Sequence, residues 1–213
     1  MRPRAVIFDL WETLIDWDRD AAAVMVAAVS EHAPDFVDLW PRSTNRYTGP
    51  IRVALTDAGV PTVALEEVCA LRLDYVREAL VPRAGSVEAL RRLRELGVLV
   101  GLITVCSEDV EVLWSSTPFA GLFDAEVFSS AVGLSKPDPR IYLHCCELLG
   151  VEPYEAVFVG DGANDELAGA ERVGMRAILI HRPGEDPYWD DLAEFDGPRV
   201  TSIPEVLEVL ELC

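Results

Sequence analysis

The chain has 213 residues, and half of them are hydrophobic, which is enough to bury the core of one domain or of a domain with a smaller insert. Its 37 acidic and 18 basic residues give a formal net charge of -19, which disfavours nucleic acid and anionic membrane surfaces as partners. The five cysteines show no CxxC spacing, so they indicate neither a zinc site nor a disulfide framework and are typical of a reducing cytoplasm.

No segment resembles a membrane anchor or a leader. The longest apolar stretches, such as Ala21–Val29, are much shorter than the ~20 residues that span a bilayer. The apolar run near the start is interrupted by Asp9, and no small-residue cleavage site follows it. We therefore expect a soluble cytoplasmic protein.

The first predicted element is a strand, Ala5–Phe8, followed directly by the carboxylate of Asp9. Ligands of open parallel sheets bind at the carboxyl ends of the strands, so Asp9 is a candidate site residue. An aspartate in this place is also a common helix cap or turn residue, and taken alone both interpretations stay open.

Residues 16–82 predict helices and no convincing strand. Apolar residues at helical spacing, with Pro34 and Gly59 as stops, favour helices over Ala21–His32, Asp35–Trp40, Ile51–Ala58 and Leu65–Leu80. We therefore predict that residues 16–82 form a small all-helical domain inserted into a core made of residues 1–15 and 83–213.

From residue 83 onward, helices alternate with short apolar strands. The predicted strands lie at 98–104, 126–128, 156–159 and 177–180, and the predicted helices at 87–96, 108–114, 140–149 and 166–173. This alternation is typical of an α/β fold, a Rossmann-like doubly wound parallel sheet.

Polar residues follow the predicted strands. They include carboxylates, a hydroxyl and a lysine, namely Asp9, Thr104, Lys136, Asp161 and Asp165. Parallel strands place these ends on one edge, and clustered carboxylates repel one another unless a cation lies between them. Oxygen ligands of this kind suit Mg²⁺. The non-functional alternatives are that Lys136 is a surface lysine in a turn and that Asp161 and Asp165 are helix caps.

Four sequence motifs together resemble the haloacid dehalogenase-like (HAD) hydrolase superfamily with a helical cap of the C1 type. They occur in the family's order as FDLWETL at 8–14, LIT at 102–104, KPDPRIY at 136–142 and VGDGANDEL at 159–167. The resemblance covers nearly the whole chain. It implies a hydrolase with a Rossmann-like core, in which the predicted helical insert is the cap.

The resemblance also implies roles for the matching residues. Asp9 would be the nucleophile that forms a covalent aspartyl intermediate, and Thr104 would donate a hydrogen bond to the transferred group. Lys136 would stabilise negative charge on Asp9 and on the substrate. Asp9, Asp161, Asp165 and the backbone carbonyl of Trp11 would hold Mg²⁺.

Trp11 departs from the pattern of the family's phosphatases, which carry an aspartate there as general acid and base. The family's dehalogenases have an aromatic residue at this position, because a halide leaves without a proton. They dispense with the metal, however, and replace the residue matching Asp161 by serine. Glu12 could supply the proton function only if the turn aimed it inward, and a solvent-facing Glu12 is the favoured alternative.

We therefore predict a magnesium-dependent phosphatase or phosphoryl-transfer enzyme acting on a small anionic metabolite. The alternatives are a 2-haloacid dehalogenase and a weakly active or inactive relative that binds a ligand. Arg42 and Arg46, together with Trp11, are candidate substrate-binding residues, since guanidinium groups suit carboxylates and phosphates. Cys106 follows a predicted strand and is a minor candidate for a catalytic thiol.

Overall fold

A six-stranded sheet with every pair of neighbours parallel lies at the centre of the computed structural model, which describes residues 2–182 and 195–212. Its strands are β1 (Ala5–Phe8), β2 (Leu99–Thr104), β3 (Ala125–Phe128), β4 (Ala156–Gly160), β5 (Arg176–Ile180) and β6 (Arg199–Val200). The spatial order is β3-β2-β1-β4-β5-β6, so that β2 and β3 lie on one side of β1 and β4, β5 and β6 on the other. The predicted α/β Rossmann-like core is confirmed.

Helices make up the segment between β1 and β2 from residue 16 to residue 82. They are α1 (Arg19–His32), α2 (Phe36–Leu39), α3 (Ile51–Asp57) and α4 (Leu65–Ala79). Asp18 caps α1, because its carboxylate accepts a hydrogen bond of 2.9 Å from the backbone N–H of Ala21. The insert has its own hydrophobic cluster, which includes Val29, Phe36, Leu55, Val60 and Val68. The division into two domains at these boundaries stays a prediction.

The remaining helices cover both faces of the sheet. They are α5 (Ser86–Glu95), α6 (Glu108–Trp114), α7 (Ser129–Val132), α8 (Pro139–Leu149), α9 (Glu166–Arg172) and α10 (Ile203–Val209). Alternate residues of β1 face opposite sides, so that Val6 and Phe8 join one hydrophobic cluster and Ala5 and Ile7 another. Burial of β1 on both faces explains its continuous apolar sequence.

The two ends of the insert lie side by side. Ile15 and Pro82 form an isolated β-bridge, and the N–H of Arg83 donates a hydrogen bond of 2.8 Å to the carbonyl of Leu14. The buried Arg83 guanidinium contacts Asp16 at 2.6 Å and the Glu12 carboxylate at 2.7 Å, and it also donates to the Glu12 carbonyl. This contact set, the Arg83 clasp, joins the turn after β1 to both connections of the insert.

Two elements near the end of the chain were not predicted. The strand β6 has only two residues, and α10 follows it at once. A two-residue strand carries no readable alternation of apolar and polar residues. Within the described ranges, no helix is both long and apolar enough to cross a membrane. Four of the cysteines are free thiols, and Cys213 lies outside the described residues.

Candidate active site

The side chain of Asp9 lies where the strand order reverses. Strand β1 pairs with β2 on one side and β4 on the other, and the Asp9 N–H donates a 2.9 Å hydrogen bond to the carbonyl of Val159. Chain connections run in opposite directions from this point, so a crevice opens at the carboxyl ends of β1 and β4. Asp9 is only 4% exposed there.

Lys136 reaches this crevice from the loop before α8. Its Nζ lies 2.5 Å from Oδ1 of Asp9 and also donates to the carboxylate of Glu166. Burial by itself lowers the pKa of a lysine, but the charges of Asp9 and Glu166 together outweigh burial, and the pKa of Lys136 is raised. The ammonium group is therefore a fixed positive charge beside Asp9.

Three carboxylates come together around Asp9. Ligand oxygens of Asp9, Asp161 and Glu166 all lie within 4.8 Å of one another. The Gly162 N–H donates to Glu166 at 3.0 Å, and the Ala163 N–H donates to Asp161 at 3.1 Å. Burial, then the charge of Asp9, raises the pKa of Asp161 to about 6, and burial raises that of Glu166 above its usual range.

Asp165 does not join this group. Its side chain is exposed, and both Asn164 and Asp165 adopt left-handed backbone conformations as the chain turns into α9. The turn brings Glu166, the next residue, into the fully buried position beside Lys136. Ligation of a metal by Asp165 stays a prediction, and the structure adds Glu166 as a third carboxylate beside Asp9 and Asp161.

The charge of the site fits a divalent cation. Three carboxylates close to a single ammonium group leave an excess of two negative charges when all are ionised. Such an excess is costly in a buried place, and the raised pKa values of Asp161 and Glu166 express this cost. Oxygen atoms of carboxylates are the ligands that Mg²⁺ prefers, so the donor set fits that ion.

Thr104 supplies a hydroxyl group at the end of β2. The residue is fully buried, and its Oγ1 has no hydrogen-bond partner among the residues that the structure describes, which is also true of Thr13. Buried hydroxyls are normally satisfied. Because β2 lies next to β1, with Leu102 paired to Phe8, the orphaned hydroxyl is available to a ligand at the carboxyl ends of these strands.

Comparison with known proteins decides the family. The family model described as haloacid dehalogenase-like hydrolase matches residues 3–174, which is most of the chain. The chain belongs to the haloacid dehalogenase-like hydrolases. The predicted family and the predicted class of enzyme, a hydrolase, are thereby confirmed.

Relatives include phosphatases and a dehalogenase. The chain is 32% identical to glyceraldehyde 3-phosphate phosphatase of Methanopyrus kandleri over 62% of its own length and 58% of that protein. It is 29% identical to hexitol phosphatase B of Escherichia coli, with 84% of each chain covered. It is 28% identical to (S)-2-haloacid dehalogenase 4A of Burkholderia cepacia, with 88% and 87% covered.

A solved structure supports the fold. The HAD phosphatase from Thermococcus onnurineus superposes with a TM-score of 0.76 at 22% identity, and the match covers 97% of each chain. At this identity the likeness concerns the fold alone. Taken with the named relatives, the phosphatase interpretation fits the comparisons at least as well as the dehalogenase interpretation.

The turn after Asp9 carries Trp11 and then Glu12, and the carboxylate of Glu12 is engaged by other groups. Trp11 is half-buried and packs against the hydrophobic cluster that contains Phe8. Glu12 has a left-handed backbone, and its carboxylate accepts hydrogen bonds from Arg83 at 2.7 Å and from the Trp17 N–H at 2.6 Å. The favoured expectation of a solvent-facing Glu12 is therefore replaced by a carboxylate bound in the Arg83 clasp.

The predicted substrate-binding arginines lie in the insert of this HAD chain. Arg42 is exposed, and the guanidinium group of Arg46 stacks 4.4 Å over the ring of Tyr47. The neighbouring Thr48 brings the insert close to the core, because its carbonyl lies 3.9 Å from the point where a Cβ on Gly133 would sit. Substrate binding by Arg42, Arg46 and Trp11 stays a prediction.

Another arginine of the insert, which sequence reasoning missed, binds the core. Arg72 on α4 is buried and donates to Asp109 at 2.9 Å and to Ser107 at 3.0 Å, while Trp40 stacks 4.5 Å from its guanidinium carbon. An arginine at the inner face of a helix with an acidic residue in a neighbouring helix gives no local sequence signal. The pair forms only because α4 packs against α6.

Cys106 is not placed for nucleophilic chemistry. The residue is buried, and burial raises the pKa of its thiol to about 12. A thiol is a strong nucleophile only as the thiolate. The structure therefore favours a packing role for Cys106.

Proposed function

We propose that this HAD hydrolase is a magnesium-dependent phosphatase that acts on a small phosphorylated metabolite through an aspartyl phosphate on Asp9. The observation that carries the proposal is the excess of carboxylates over ammonium at the crevice, namely Asp9, Asp161 and Glu166 around Lys136. A metal-free dehalogenase has no use for this excess negative charge.

In the proposed metal site, side chains of Asp9 and Asp161 and the backbone carbonyl of Trp11 would hold Mg²⁺. Glu166, which lies beside Lys136, would be either a further ligand or the partner that keeps Lys136 charged, and ligation by Asp165 stays part of the proposal. When bound, the ion offsets the repulsion between the Asp9 carboxylate and an anionic phosphoryl group.

Three residues of the chain have separate roles in the proposed reaction. Asp9 attacks phosphorus with one carboxylate oxygen, while Lys136, 2.5 Å away, offsets the charge that the attacking and transferred groups share. The orphaned hydroxyl of Thr104 donates to an oxygen of the transferred group. Hydrolysis of the aspartyl phosphate by water returns the free carboxylate and releases phosphate.

We further propose that residues 16–82 are a cap domain that supplies substrate recognition, on a core of residues 1–15 and 83–213. The separate hydrophobic cluster of the insert and its adjacent connections at Ile15 and Pro82 support this division. The cysteine pattern supports a cytoplasmic location, and the net charge of -19 argues against nucleic acid as a partner.

Phosphate release from 4-nitrophenyl phosphate tests the proposal. We expect activity that requires Mg²⁺, is lost with chelator and is abolished in Asp9→Asn. Beryllium fluoride with Mg²⁺ should form one trifluoroberyllate adduct, in which beryllium is bonded to a carboxylate oxygen of Asp9. Absence of phosphate release from a broad panel of phosphate esters and acyl phosphates, with correctly folded protein, would overturn the proposal.

Trp11 supports a second candidate, dehalogenation of a 2-halocarboxylate, since halide departs without a proton. Chloride release from 2-chloropropionate in the presence of chelator would establish this activity. A protein that releases neither phosphate nor chloride, yet binds phosphate at the crevice, would instead be a ligand-binding relative.

A further inference from the structure

The turn that follows Asp9 offers no side chain that can give a proton to a leaving group. The indole of Trp11 does not exchange a proton at neutral pH. Glu12, the next residue, is bound on both carboxylate oxygens, at 2.7 Å by Arg83 and at 2.6 Å by the N–H of Trp17. Its attachment to the Arg83 clasp keeps this carboxylate at the connection to the insert.

The other ionisable groups around Asp9 are also engaged. Lys136 donates to both Asp9 and Glu166, and Glu166 is fully buried and accepts from Gly162 at 3.0 Å. Asp161 is assigned to the metal in the proposed function. Each of these acids and bases at the crevice, among the residues that the structure describes, is therefore already engaged. Transfer of its proton to a leaving group would break the contact that engages it.

General acid help matters in proportion to the basicity of the leaving group. An alcohol leaves as an alkoxide, whose conjugate acid is about as weak as water, with a pKa near 16. A carboxylate leaves as a stable anion, because the pKa of its acid is about 4. General acid catalysis commonly raises the rate by about 10²–10⁴-fold. Its loss therefore slows the hydrolysis of alkyl phosphates, but it has little effect on acyl phosphates.

We infer that the substrates of this site are phosphates whose leaving group departs as a stable anion. Acyl phosphates, which are mixed anhydrides of carboxylic and phosphoric acids, are the substrates that fit best. This inference rests on the proposed phosphatase function and narrows its substrate class. It separates the chain from phosphatases that must protonate an alcohol.

The chemistry balances without an acid. An oxygen of the Asp9 carboxylate forms a bond to phosphorus, and the bond from phosphorus to the bridging oxygen breaks, with its electron pair leaving on the carboxylate. Water then attacks the phosphorus of the aspartyl phosphate, loses a proton to solvent, and expels the Asp9 carboxylate. The products are a carboxylate, inorganic phosphate and unmodified enzyme.

The first test uses the wild-type protein with Mg²⁺ and four probes, acetyl phosphate, 4-nitrophenyl phosphate, phenyl phosphate and glycerol 1-phosphate. We expect kcat/KM to fall steadily as the pKa of the leaving group rises, with glycerol 1-phosphate lower than acetyl phosphate by at least about 10²-fold. Asp9→Asn corrects for spontaneous hydrolysis. Equal kcat/KM for alkyl and acyl probes would overturn the inference while leaving the phosphatase function intact.

The second test restores an acid at position 11. Trp11→Asp should raise kcat/KM for glycerol 1-phosphate by about 10²-fold or more and that for acetyl phosphate by less than about tenfold. Trp11→Asn is the matched control, because it also removes the indole but adds no proton donor, and it should show no selective gain. A similar gain in both variants, or in neither, would overturn the inference.

The two hypotheses fail differently. If no probe yields phosphate, and no aspartyl phosphate forms with acetyl phosphate, the phosphatase proposal and this inference fall together. If phosphate is released at comparable rates from every probe, only the inference falls. The wild-type series needs no variant, so loss of packing around Trp11 cannot obscure the answer.

Discussion

Gly160, the last residue of β4, leaves room for the carboxylate of Glu166, and Gly160→Ala should remove that room. A Cβ on Gly160 would lie 2.0 Å from Oε1 of Glu166, whereas 3.4 Å is the lower limit of ordinary contact, so the carboxylate must move by about 1.4 Å, the difference of the two. The same carboxylate holds Lys136 and the N–H of Gly162. A shift of this size breaks both contacts.

The expected cost follows from the burial of the pair. Removing the partner of a buried charge typically costs about 3–5 kcal/mol, and for a chain of this length this lowers Tm by about 6–20 °C. We also expect Mg²⁺ affinity to fall by about 10–100-fold, because Lys136 and the ligand carboxylates lose their orientation. Thermal unfolding by circular dichroism and titration calorimetry with Mg²⁺ measure the two effects.

A double variant isolates the clash. In a Glu166→Ala background no carboxylate occupies the space beside Gly160, so Gly160→Ala should add less than about 1 kcal/mol to the cost of Glu166→Ala. If Gly160→Ala alone melts within about 2 °C of the wild type and binds Mg²⁺ normally, Glu166 does not hold Lys136 in the way described. The same cost in both backgrounds would instead assign the effect to strain against Phe158, whose ring lies 3.0 Å from that Cβ.

Further predictions concern Arg72, Arg83 and Cys106. Arg72→Met should lower the free energy of unfolding by about 3–5 kcal/mol, measured by urea denaturation, because it leaves Asp109 buried without its partner; Arg72→Met combined with Asp109→Leu should recover much of this loss. Arg83→Met should release the Glu12 carboxylate from the guanidinium group and destabilise the protein less than Arg72→Met does, because solvent reaches both Glu12 and Asp16; replacing the exposed Arg140, salt-bridged to Asp138, by Met should leave the stability nearly unchanged. Cys106 should resist iodoacetamide in the native protein from pH 7 to pH 9, because burial raises its pKa to about 12, and mass spectrometry should find it modified only after unfolding.

Local sequence patterns predicted most of the sheet. The strand Ala5–Phe8 and the helix Glu108–Trp114 have the predicted bounds, because apolar runs and their polar ends are visible within a few residues. The convergence of Asp9, Lys136 and Asp161 was also predictable, since parallel strands share one carboxyl edge.

The place of Glu166 in the carboxylate cluster shows where prediction from local sequence ends. Which of two adjacent carboxylates faces the crevice depends on the left-handed backbone at Asn164 and Asp165, which is an uncommon conformation for residues other than glycine. The Arg83 clasp could not be predicted from local sequence either. It joins residues about 70 positions apart, and nothing near Arg83 or Glu12 in sequence marks either as a partner of the other.

Two kinds of contact connect the insert to the core. They would respond differently if the insert moved away from the core. The Arg83 clasp lies at the connections themselves, so a rotation of the insert can preserve it. Farther from the connections, Arg72 binds Asp109, and the carboxylate of Glu108 accepts from the N–H of Ile51 at 2.8 Å. In the proposed cap arrangement, a rotation of residues 16–82 away from the core would break these two contacts.

Breaking them need not be costly. A buried ion pair gains little net free energy over two hydrated ions, because the attraction is largely offset by the loss of hydration. If Arg72 and Asp109 separate into water, both groups regain their hydration. In Arg72→Met, by contrast, the charge of Asp109 stays buried without its partner. The same pair can therefore stabilise the closed arrangement only slightly and yet be strongly destabilising when one partner is removed.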